Sequence, residues 1–424
     1  MTETVFTYAA PALKFGTGAS DEIGWEVARR GARRVLLVTD AGVAVTGHPA
    51  RIAEQARTAG VEVVVFDRAH VEPTDASFEE AIAFAREAGG IDAIVAVGGG
   101  SSIDTAKAVN LLLTNPGELM DYVNAPVGRA LAPTRELLPL IAVPTTTGTG
   151  AESTTVCVLD VLALKVKTGI SHAALRPTLA IVDPALTLTQ PAMVTASAGM
   201  DILCHALESY TARPYTDFER KTPEARVPYC GANPIADMWS ERAMALLAGS
   251  FRRAVRDGRD GSVESIRARE EMAQAATFAG LGFGNAGVHI PHADAYPIAG
   301  RVRDYVPDGY PAGHPVIPHG MSVALTAAEA FRFTFDAAPE RHLRAARLLD
   351  PTATGEGPDV LPRVLRALMA DIGIPAGLGE VGYTESDVDD LVEGALKQER
   401  LLAIAPKRPT DDDLARIFRA SMGE

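Results

Sequence analysis

The sequence predicts an α/β domain built on a parallel sheet, followed by an all-helical domain. In the N-terminal half, short apolar runs alternate with helix-like segments, the pattern of a parallel sheet covered on both faces. Beyond Asp183-Pro184 the character changes, and long segments rich in Ala, Leu, Glu and Arg dominate. We place the boundary between residues 185 and 195 and therefore expect domains at residues 1–190 and 191–424.

The expected elements follow from the apolar patterns. Continuous apolar runs of four to seven residues are typical of buried parallel strands. They predict strands at 34–40, 61–66, 91–97, 138–143, 155–159 and 179–182. Helix-like periodicity occurs at 49–59, 77–88, 240–256, 265–279 and 360–370. The stretch 210–234 is rich in proline and charge, which predicts a surface excursion.

Composition narrows the classes of partner and compartment. The net charge of −14 argues against nucleic acid or an anionic membrane as the main partner. The three cysteines form no CxxC pair, as expected in a reducing compartment. The N-terminus lacks a basic stretch followed by an apolar one, and no apolar run reaches about 18 residues. We therefore expect a cytoplasmic protein that acts on a small molecule.

Four side chains have the chemistry of a metal site. Asp201 and His205 stand four residues apart in a helix-compatible run, so both project from one face. His292 and His319 follow later in the chain. One carboxylate and three imidazoles suit Fe²⁺ or Zn²⁺, with room for a substrate oxygen. A single histidine is more often structural, and we expect that role for the additional His289 and His314.

Two glycine-rich turns have the character of a nucleotide site. The triplet 98–100 ends a predicted strand and opens a helix, where unpaired N–H groups would suit a pyrophosphate. The turn 144–152, rich in Thr and Gly, also follows a strand. Asp40 ends the first clear strand, where an acid would bind a ribose and repel a 2′-phosphate. Each pattern has a plainer interpretation, a capped turn, a loop or a helix N-cap respectively.

Four motifs, in this order, carry a family resemblance: GGGSSIDTAKA, PTTTGTGAE, GMDILCHALESY and PHG. Together they resemble the iron-containing (group III) alcohol dehydrogenase family over roughly residues 5–400. The resemblance implies an N-terminal dinucleotide-binding domain for NAD and a C-terminal helical metal domain. It implies metal ligation by Asp201, His205, His292 and His319. The implied nucleotide contacts are Asp40, Gly99, Gly100, Ser101, Thr145, Thr146, Thr149 and Lys167.

A narrower resemblance is to the hydroxyacid-oxoacid transhydrogenase branch of that family. It is carried by KVKTGISHAALRPTLAIVDP, CHALESYTARPY, GFGNAGVHIPHADAYPIAG and HPVIPHGMSVALT. Tyr296 stands where many family members have a histidine beside the nicotinamide, and the branch shares this tyrosine. The branch implies hydride transfer from 4-hydroxybutyrate to 2-oxoglutarate through bound NAD. Both substrates carry carboxylates, for which Arg301, Arg303 and Lys165 are candidate partners.

Three alternatives to the transhydrogenase remain. An ordinary NAD-dependent alcohol dehydrogenase of the same family would release NADH at every turnover. A non-redox enzyme of the dehydroquinate synthase type would be expected to have a glutamate where this chain has Asp201. A binding protein without catalysis would not need the four ligands together with both turns. We expect a homodimer as the assembly.

Overall fold

The chain consists of an α/β unit and a helical unit, which confirms the predicted fold class. The structure is a computed structural model that describes residues 1–164, 166–226, 228–310 and 315–423. The α/β unit is Ala10–Thr189, and the helical unit is Gln190–Glu424 together with Met1–Ala9. The first nine residues therefore belong to the helical unit, whereas the predicted domains placed them in the α/β domain. Glu3 is buried in the helical unit, and its N–H donates a hydrogen bond to Phe218 O (2.9 Å).

The α/β unit is built on a parallel sheet with the strand order β1-β8-β5-β4-β2-β3. Strands β6 and β7 form a separate antiparallel pair. The sequence predicted neither β1 nor β7. The strands are β1 Ala12–Phe15, β2 Arg34–Val38, β3 Glu62–Phe66, β4 Ala93–Gly98, β5 Leu140–Pro144, β6 Val156–Val161, β7 Val166–Ser171 and β8 Leu179–Val182.

Helices bury both faces of this sheet. Successive side chains of a strand point to opposite faces. Accordingly, Leu36 and Val38 of β2 join one apolar cluster, whereas Val35 and Leu37 join a second one. The helices of the unit are α1 Ile23–Arg29, α2 Ala41–Ala44, α3 His48–Thr58, α4 Asp75–Ala88, α5 Gly100–Thr114 and α6 Leu119–Tyr122.

The strand order places a topological switch point between β2 and β4. From β2 the chain adds β3 on one side, whereas β4, β5 and β8 extend the sheet on the other. In doubly wound sheets of this kind, ligands bind outside the carboxyl ends of the strands at the switch point. Asp40 follows β2 and Gly99 follows β4. Two of the residues predicted from the sequence therefore lie at the position that this topology favours for a ligand.

The helical unit is organised around its first long helix, α7, which is buried along nearly its whole length. Helices α8, α9 and α11 pack against it. Among the described residues, no helix is both long and apolar enough to cross a membrane. The helices are α7 Ala192–Thr211, α8 Pro234–Arg256, α9 Val263–Ala286, α10 Ile290–Gly300, α11 His319–Thr334, α12 Pro339–Leu349, α13 Val360–Ile372, α14 Val388–Leu396, α15 Glu399–Leu402 and α16 Asp411–Ala420.

Candidate metal centre and nucleotide-binding turns

Helix α7 supplies the first two side chains of the candidate metal centre. Asp201 and His205 lie one turn apart on the same face, and only 1% and 3% of their surfaces are exposed. His205 Nε2 lies 3.7 Å from Asp201 Oδ1. The His205 ring is stacked on Phe283 at a centroid distance of 3.7 Å, with 5° between the planes. The packing of α7 against α9 therefore fixes the plane of this imidazole.

His292 on α10 and His319 at the start of α11 complete the cluster. Their Nε2 atoms lie 3.5 Å and 3.8 Å from the same Asp201 Oδ1. Ligand atoms about 2.0–2.2 Å from a tetrahedral metal ion lie about 3.3–3.6 Å from one another. The three distances to Asp201 Oδ1 are therefore close to the edges of such a coordination shell. Ligand atoms of Asp201, His292 and His319 all lie within 4.8 Å of one another.

Two polar atoms at the centre of this cluster have no hydrogen-bond partner among the residues that the structure describes. They are Asp201 Oδ1 and His292 Nε2, and both are buried. A buried polar atom without a partner costs about 1–3 kcal/mol. A cation placed between the carboxylate and the imidazoles would satisfy both atoms. The donor set of one carboxylate and three imidazoles therefore fits a divalent transition metal ion.

The protonation states of Asp201 and His205 favour a cation. Burial raises the pKa of Asp201, but the neighbouring imidazoles outweigh that effect and hold this pKa well below its usual range. Burial lowers the pKa of His205 to about 3, so its ring is neutral at physiological pH. Burial also lowers the pKa of His292, yet the carboxylates of Glu208 and Asp201 together outweigh burial and raise it to about 9. Cation binding at His292 would therefore release a proton.

In the α/β unit, the two glycine-rich turns contact each other. A Cβ atom at Gly99 would lie 3.2 Å from Thr146 Oγ1, and one at Gly100 would lie 2.7 Å from Thr149 Oγ1. The second of these distances leaves no room for a side chain, so glycine is required for the close approach. The turns follow β4 and β5, which are neighbours in the sheet. They therefore form one continuous surface at the carboxyl ends of these strands.

Asp40 acts as the N-cap of α2, as the plainer interpretation of its sequence position suggests. Its Oδ1 accepts a hydrogen bond from Val43 N (2.9 Å). Its Oδ2 accepts one from Ser102 Oγ (2.9 Å), in the first turn of α5. The carboxylate thereby links the turn after β2 to the turn after β4, across the switch point of the sheet.

Three further predicted nucleotide contacts lie close to these turns. Ser101 Oγ accepts a hydrogen bond from Glu72 N (3.3 Å). Thr145 is buried, and its Oγ1 has no hydrogen-bond partner in the described part of the chain. The buried ammonium of Lys167 on β7 forms ion pairs with Glu72 and with Asp160 (3.2 Å to Oδ2). Two carboxylates therefore balance the charge of Lys167.

Two sequence models of one family match most of the chain. The model described as iron-containing alcohol dehydrogenase matches residues 10–184. The model described as the C-terminal part of the Fe-containing alcohol dehydrogenase family matches residues 224–422. The chain belongs to the iron-containing alcohol dehydrogenase family. The resemblance inferred from the four motifs is thereby confirmed.

Individual members of this family support the narrower resemblance. The mitochondrial hydroxyacid-oxoacid transhydrogenases of Bos taurus and Homo sapiens are each 44% identical to the chain. These alignments cover 99% of the chain and 91% and 90% of the two relatives. The resemblance to the transhydrogenase branch is therefore confirmed as well. This dehydrogenase-family member is an oxidoreductase that acts on a CH–OH group.

Solved structures of the family have the same fold. The crystal structure of a 1,3-propanediol oxidoreductase is 31% identical and superposes with a TM-score of 0.84, covering 99% of this chain and 100% of that one. A sulfoacetaldehyde reductase from Bifidobacterium kashiwanohense, solved in complex with NAD⁺, is 28% identical with a TM-score of 0.80. That alignment covers 99% of each chain.

The cytoplasmic location expected from the sequence is contradicted. The transhydrogenases of cattle, rat and human that match this family member are named as mitochondrial proteins. The expectation depended on cysteine usage and on the absence of an apolar leader. Few cysteines without a CxxC pair fit every compartment that keeps thiols reduced, so they do not distinguish one such compartment from another.

The remaining predicted side chains of this dehydrogenase-family member differ in their surroundings. Tyr296 lies one helical turn after His292, and its ring meets His319 edge-on at 6.4 Å. Arg301 forms an ion pair with Asp390 (2.8 Å), and Arg303 forms one with Asp387. Both guanidinium groups thus already have carboxylate partners within the chain. The other two predicted side chains, Lys165 and His314, lie outside the described residues.

The sequence analysis missed Glu208, which is fully buried on α7. Its carboxylate contacts His292 Nδ1 and accepts hydrogen bonds from His289 N (2.8 Å) and His292 N (3.2 Å). A signal was present, because Glu208 follows His205 by three residues and therefore shares its helix face. His289, for which a structural role is expected, has its Nε2 3.1 Å from Thr211 Oγ1, and burial lowers its pKa to about 4.

Proposed function

We propose that this oxidoreductase is a transhydrogenase that moves hydride from a hydroxy acid to a 2-oxo acid through bound NAD. The pair that we propose is 4-hydroxybutyrate and 2-oxoglutarate, which yield succinic semialdehyde and 2-hydroxyglutarate. One alcohol is oxidised and one ketone is reduced, so the overall reaction consumes no external oxidant. The observation that carries the proposal is the convergence of three imidazoles on Asp201 Oδ1, in a chain 44% identical to named transhydrogenases.

The metal site of this proposal consists of Asp201, His205, His292 and His319. These side chains would hold Fe²⁺ or Zn²⁺, which as a Lewis acid lowers the pKa of an alcohol and stabilises negative charge on its oxygen. The protein contributes fixed geometry. Stacking on Phe283 orients His205. The exclusion of water around Asp201, which is 1% exposed, strengthens the charge interactions of its carboxylate.

The nucleotide site of this proposal is the surface formed by the two glycine-rich turns. Gly99, Gly100 and Ser101 would cradle the phosphates at the N-terminus of α5. Thr145, Thr146 and Thr149 offer hydroxyls from the adjoining turn, and Asp40 and Lys167 flank them. NAD supplies a group that accepts hydride from an alcohol and can return it to a ketone. The close approach of Gly100 to Thr149 holds the two turns of this surface together.

Tyr296 is the side chain that we propose to face the reacting alcohol or ketone. It stands one turn after His292 on α10 and meets the ring of His319. A tyrosine hydroxyl with a pKa near 10 stays neutral at physiological pH, whereas a histidine at this position would titrate. A neutral hydroxyl that both donates and accepts hydrogen bonds can contact an alcohol in one half-reaction and a ketone in the other.

The test is formation of 2-hydroxyglutarate from 4-hydroxybutyrate and 2-oxoglutarate without added nucleotide. The protein should be purified without NAD, checked for retained NAD(H) by mass spectrometry, and analysed for metal content. We expect one 2-hydroxyglutarate to form for each succinic semialdehyde. The enzyme that forms them should exchange less than one NAD(H) per chain with the solution. Product that forms only with stoichiometric NAD⁺ would instead favour an NAD-dependent alcohol dehydrogenase of the same family.

A further inference from the structure

Beyond the four side chains of the proposed metal site, the helical unit contains a buried carboxylate that contacts one of them. Glu208 is 0% exposed, and no lysine or arginine forms an ion pair with it in the described part of the chain. A buried carboxylate is costly unless its oxygens accept several hydrogen bonds. Here, three N–H groups face its two oxygens, and all three belong to the segment that begins α10.

The first turn of α10 depends on this carboxylate for its hydrogen bonds. Helix termini leave N–H groups without partners inside the helix. His289 N and His292 N donate to Glu208 Oε1, at 2.8 Å and 3.2 Å. Ile290 N donates to His289 Nδ1 (2.9 Å), Pro291 has no N–H, and Ala293 N donates to His289 O (2.9 Å). Every N–H group at the start of α10 is therefore accounted for, two of them by Glu208.

The second oxygen of the same carboxylate determines which nitrogen of His292 is available. Glu208 Oε2 contacts His292 Nδ1, so the proton of the neutral ring belongs on Nδ1. The lone pair is then on Nε2, the atom that lies 3.5 Å from Asp201 Oδ1. Histidine ligands in metal sites usually donate their other ring N–H to a carboxylate or carbonyl in this way.

We propose that Glu208 is the positioning residue of the metal site: it holds the start of α10 and presents His292 Nε2 for coordination. The inference rests on the proposed ligand role of His292. Glu208 shares a helix face with Asp201 and His205, so α7 provides two ligands and the orientation of a third. The ring of the neighbouring His289 has a separate partner, with its Nε2 3.1 Å from Thr211 Oγ1.

The test is Glu208→Gln, which keeps size and shape but replaces one acceptor oxygen with a donor. If the amide oxygen accepts from the two backbone N–H groups, the NH₂ group faces His292 Nδ1 and forces the ring proton onto Nε2. We expect Zn²⁺ affinity, measured by chelator competition, to fall about 10- to 100-fold. The visible spectrum of the Co²⁺-loaded protein should change with it, whereas the metal-free protein should keep its helical circular dichroism.

Asp294→Asn is the matched control. Asp294 is also a fully buried carboxylate of α10, but neither of its oxygens has a hydrogen-bond partner among the described residues. We expect this variant to keep its Zn²⁺ affinity within about threefold of wild type. A second control combines Glu208→Gln with His292→Ala. A residue that acts through His292 should cause little further loss of affinity in that background.

Three results would overturn the inference. The first is Glu208→Gln protein with wild-type Zn²⁺ affinity and Co²⁺ spectrum. The second is a variant that loses stability without metal but binds Zn²⁺ as tightly as wild type, which would make Glu208 only a helix cap. The third is an equal loss of affinity in the presence and absence of His292. Wild-type protein that binds no metal at all would overturn the proposed metal site itself.

Discussion

Removal of the His292 imidazole should abolish the stabilisation of the helical unit by metal while leaving its fold intact. A ligand that binds only the folded state stabilises it by RT ln(1 + [L]/Kd), which is about 2.7 kcal/mol at a hundredfold excess over Kd. For a unit of this size, each 1 kcal/mol raises the thermal midpoint by about 2–4 °C. Wild-type protein titrated with Zn²⁺ to that excess should therefore gain about 5–11 °C. His292→Ala removes one of the atoms grouped around Asp201 and should lose most of that gain, together with its activity and bound metal.

The matched control for this experiment is His342→Ala. His342 is another buried histidine of the helical unit, with Nε2 3.0 Å from Thr334 Oγ1 and Nδ1 2.8 Å from Ala338 O. Its loss should lower the thermal midpoint of the metal-free protein but leave the Zn²⁺-dependent gain unchanged. The reasoning is refuted if His292→Ala retains the wild-type gain, or if both variants lose it equally. Differential scanning calorimetry with and without a chelator provides the measurement.

Three further predictions concern cofactor choice, stability and pH. Wild-type protein should prefer NAD to NADP, because the Asp40 carboxylate would repel a 2′-phosphate. Asp40→Ala should lower the ratio of kcat/KM for NAD to kcat/KM for NADP. Equal use of both cofactors by wild type would contradict this prediction. Arg269→Met should lower the free energy of unfolding by about 2–4 kcal/mol in urea denaturation, because the fully buried guanidinium donates to three oxygens that would lose their donor. Replacement of the exposed Arg267 by Met is the control and should change the free energy of unfolding by no more than about 0.5 kcal/mol. Burial raises the pKa of Glu152 to about 7 from 4.5, so stability present below pH 4.5 is lost as the pH rises to 7. The free energy of unfolding of the Glu152→Gln protein should therefore exceed that of wild type by roughly 3 kcal/mol at pH 8 but not at pH 4.5. Parallel curves of unfolding free energy against pH for the two proteins would contradict this prediction.

The strands of the sheet could be predicted where their chemistry is unambiguous. β2 and β4 are buried on both faces, so their apolar runs are continuous, and the predicted ends differ from the observed ones by at most two residues. β1 is only four residues long and largely exposed, so it has no such run. β7 contains Lys167, Thr168 and Gly169 and owes its existence to pairing with β6 rather than to its own composition.

The metal cluster could be predicted only in part from local sequence. Helical spacing places Asp201 and His205 together, because a separation of four residues returns to the same face. No local rule brings His292 and His319 to them, since these residues belong to other helices, and the family resemblance supplied that step. Arg269 shows the opposite limit: arginine is almost never fully buried, so sequence alone gives no reason to place this one in the interior.

Glu208, the residue of the site that the sequence analysis missed, is one whose role depends on hydrogen bonds. A metal ligand can be recognised from its residue type, since histidine and aspartate suit a transition metal wherever they occur together. A positioning carboxylate cannot be recognised in this way, because glutamate is common on helices and usually faces solvent. Its role becomes visible only when three N–H donors and no cation are found around it. The same helix face that carries Asp201 and His205 therefore carries a third polar side chain whose partner could be found only by tracing the hydrogen bonds at the start of α10.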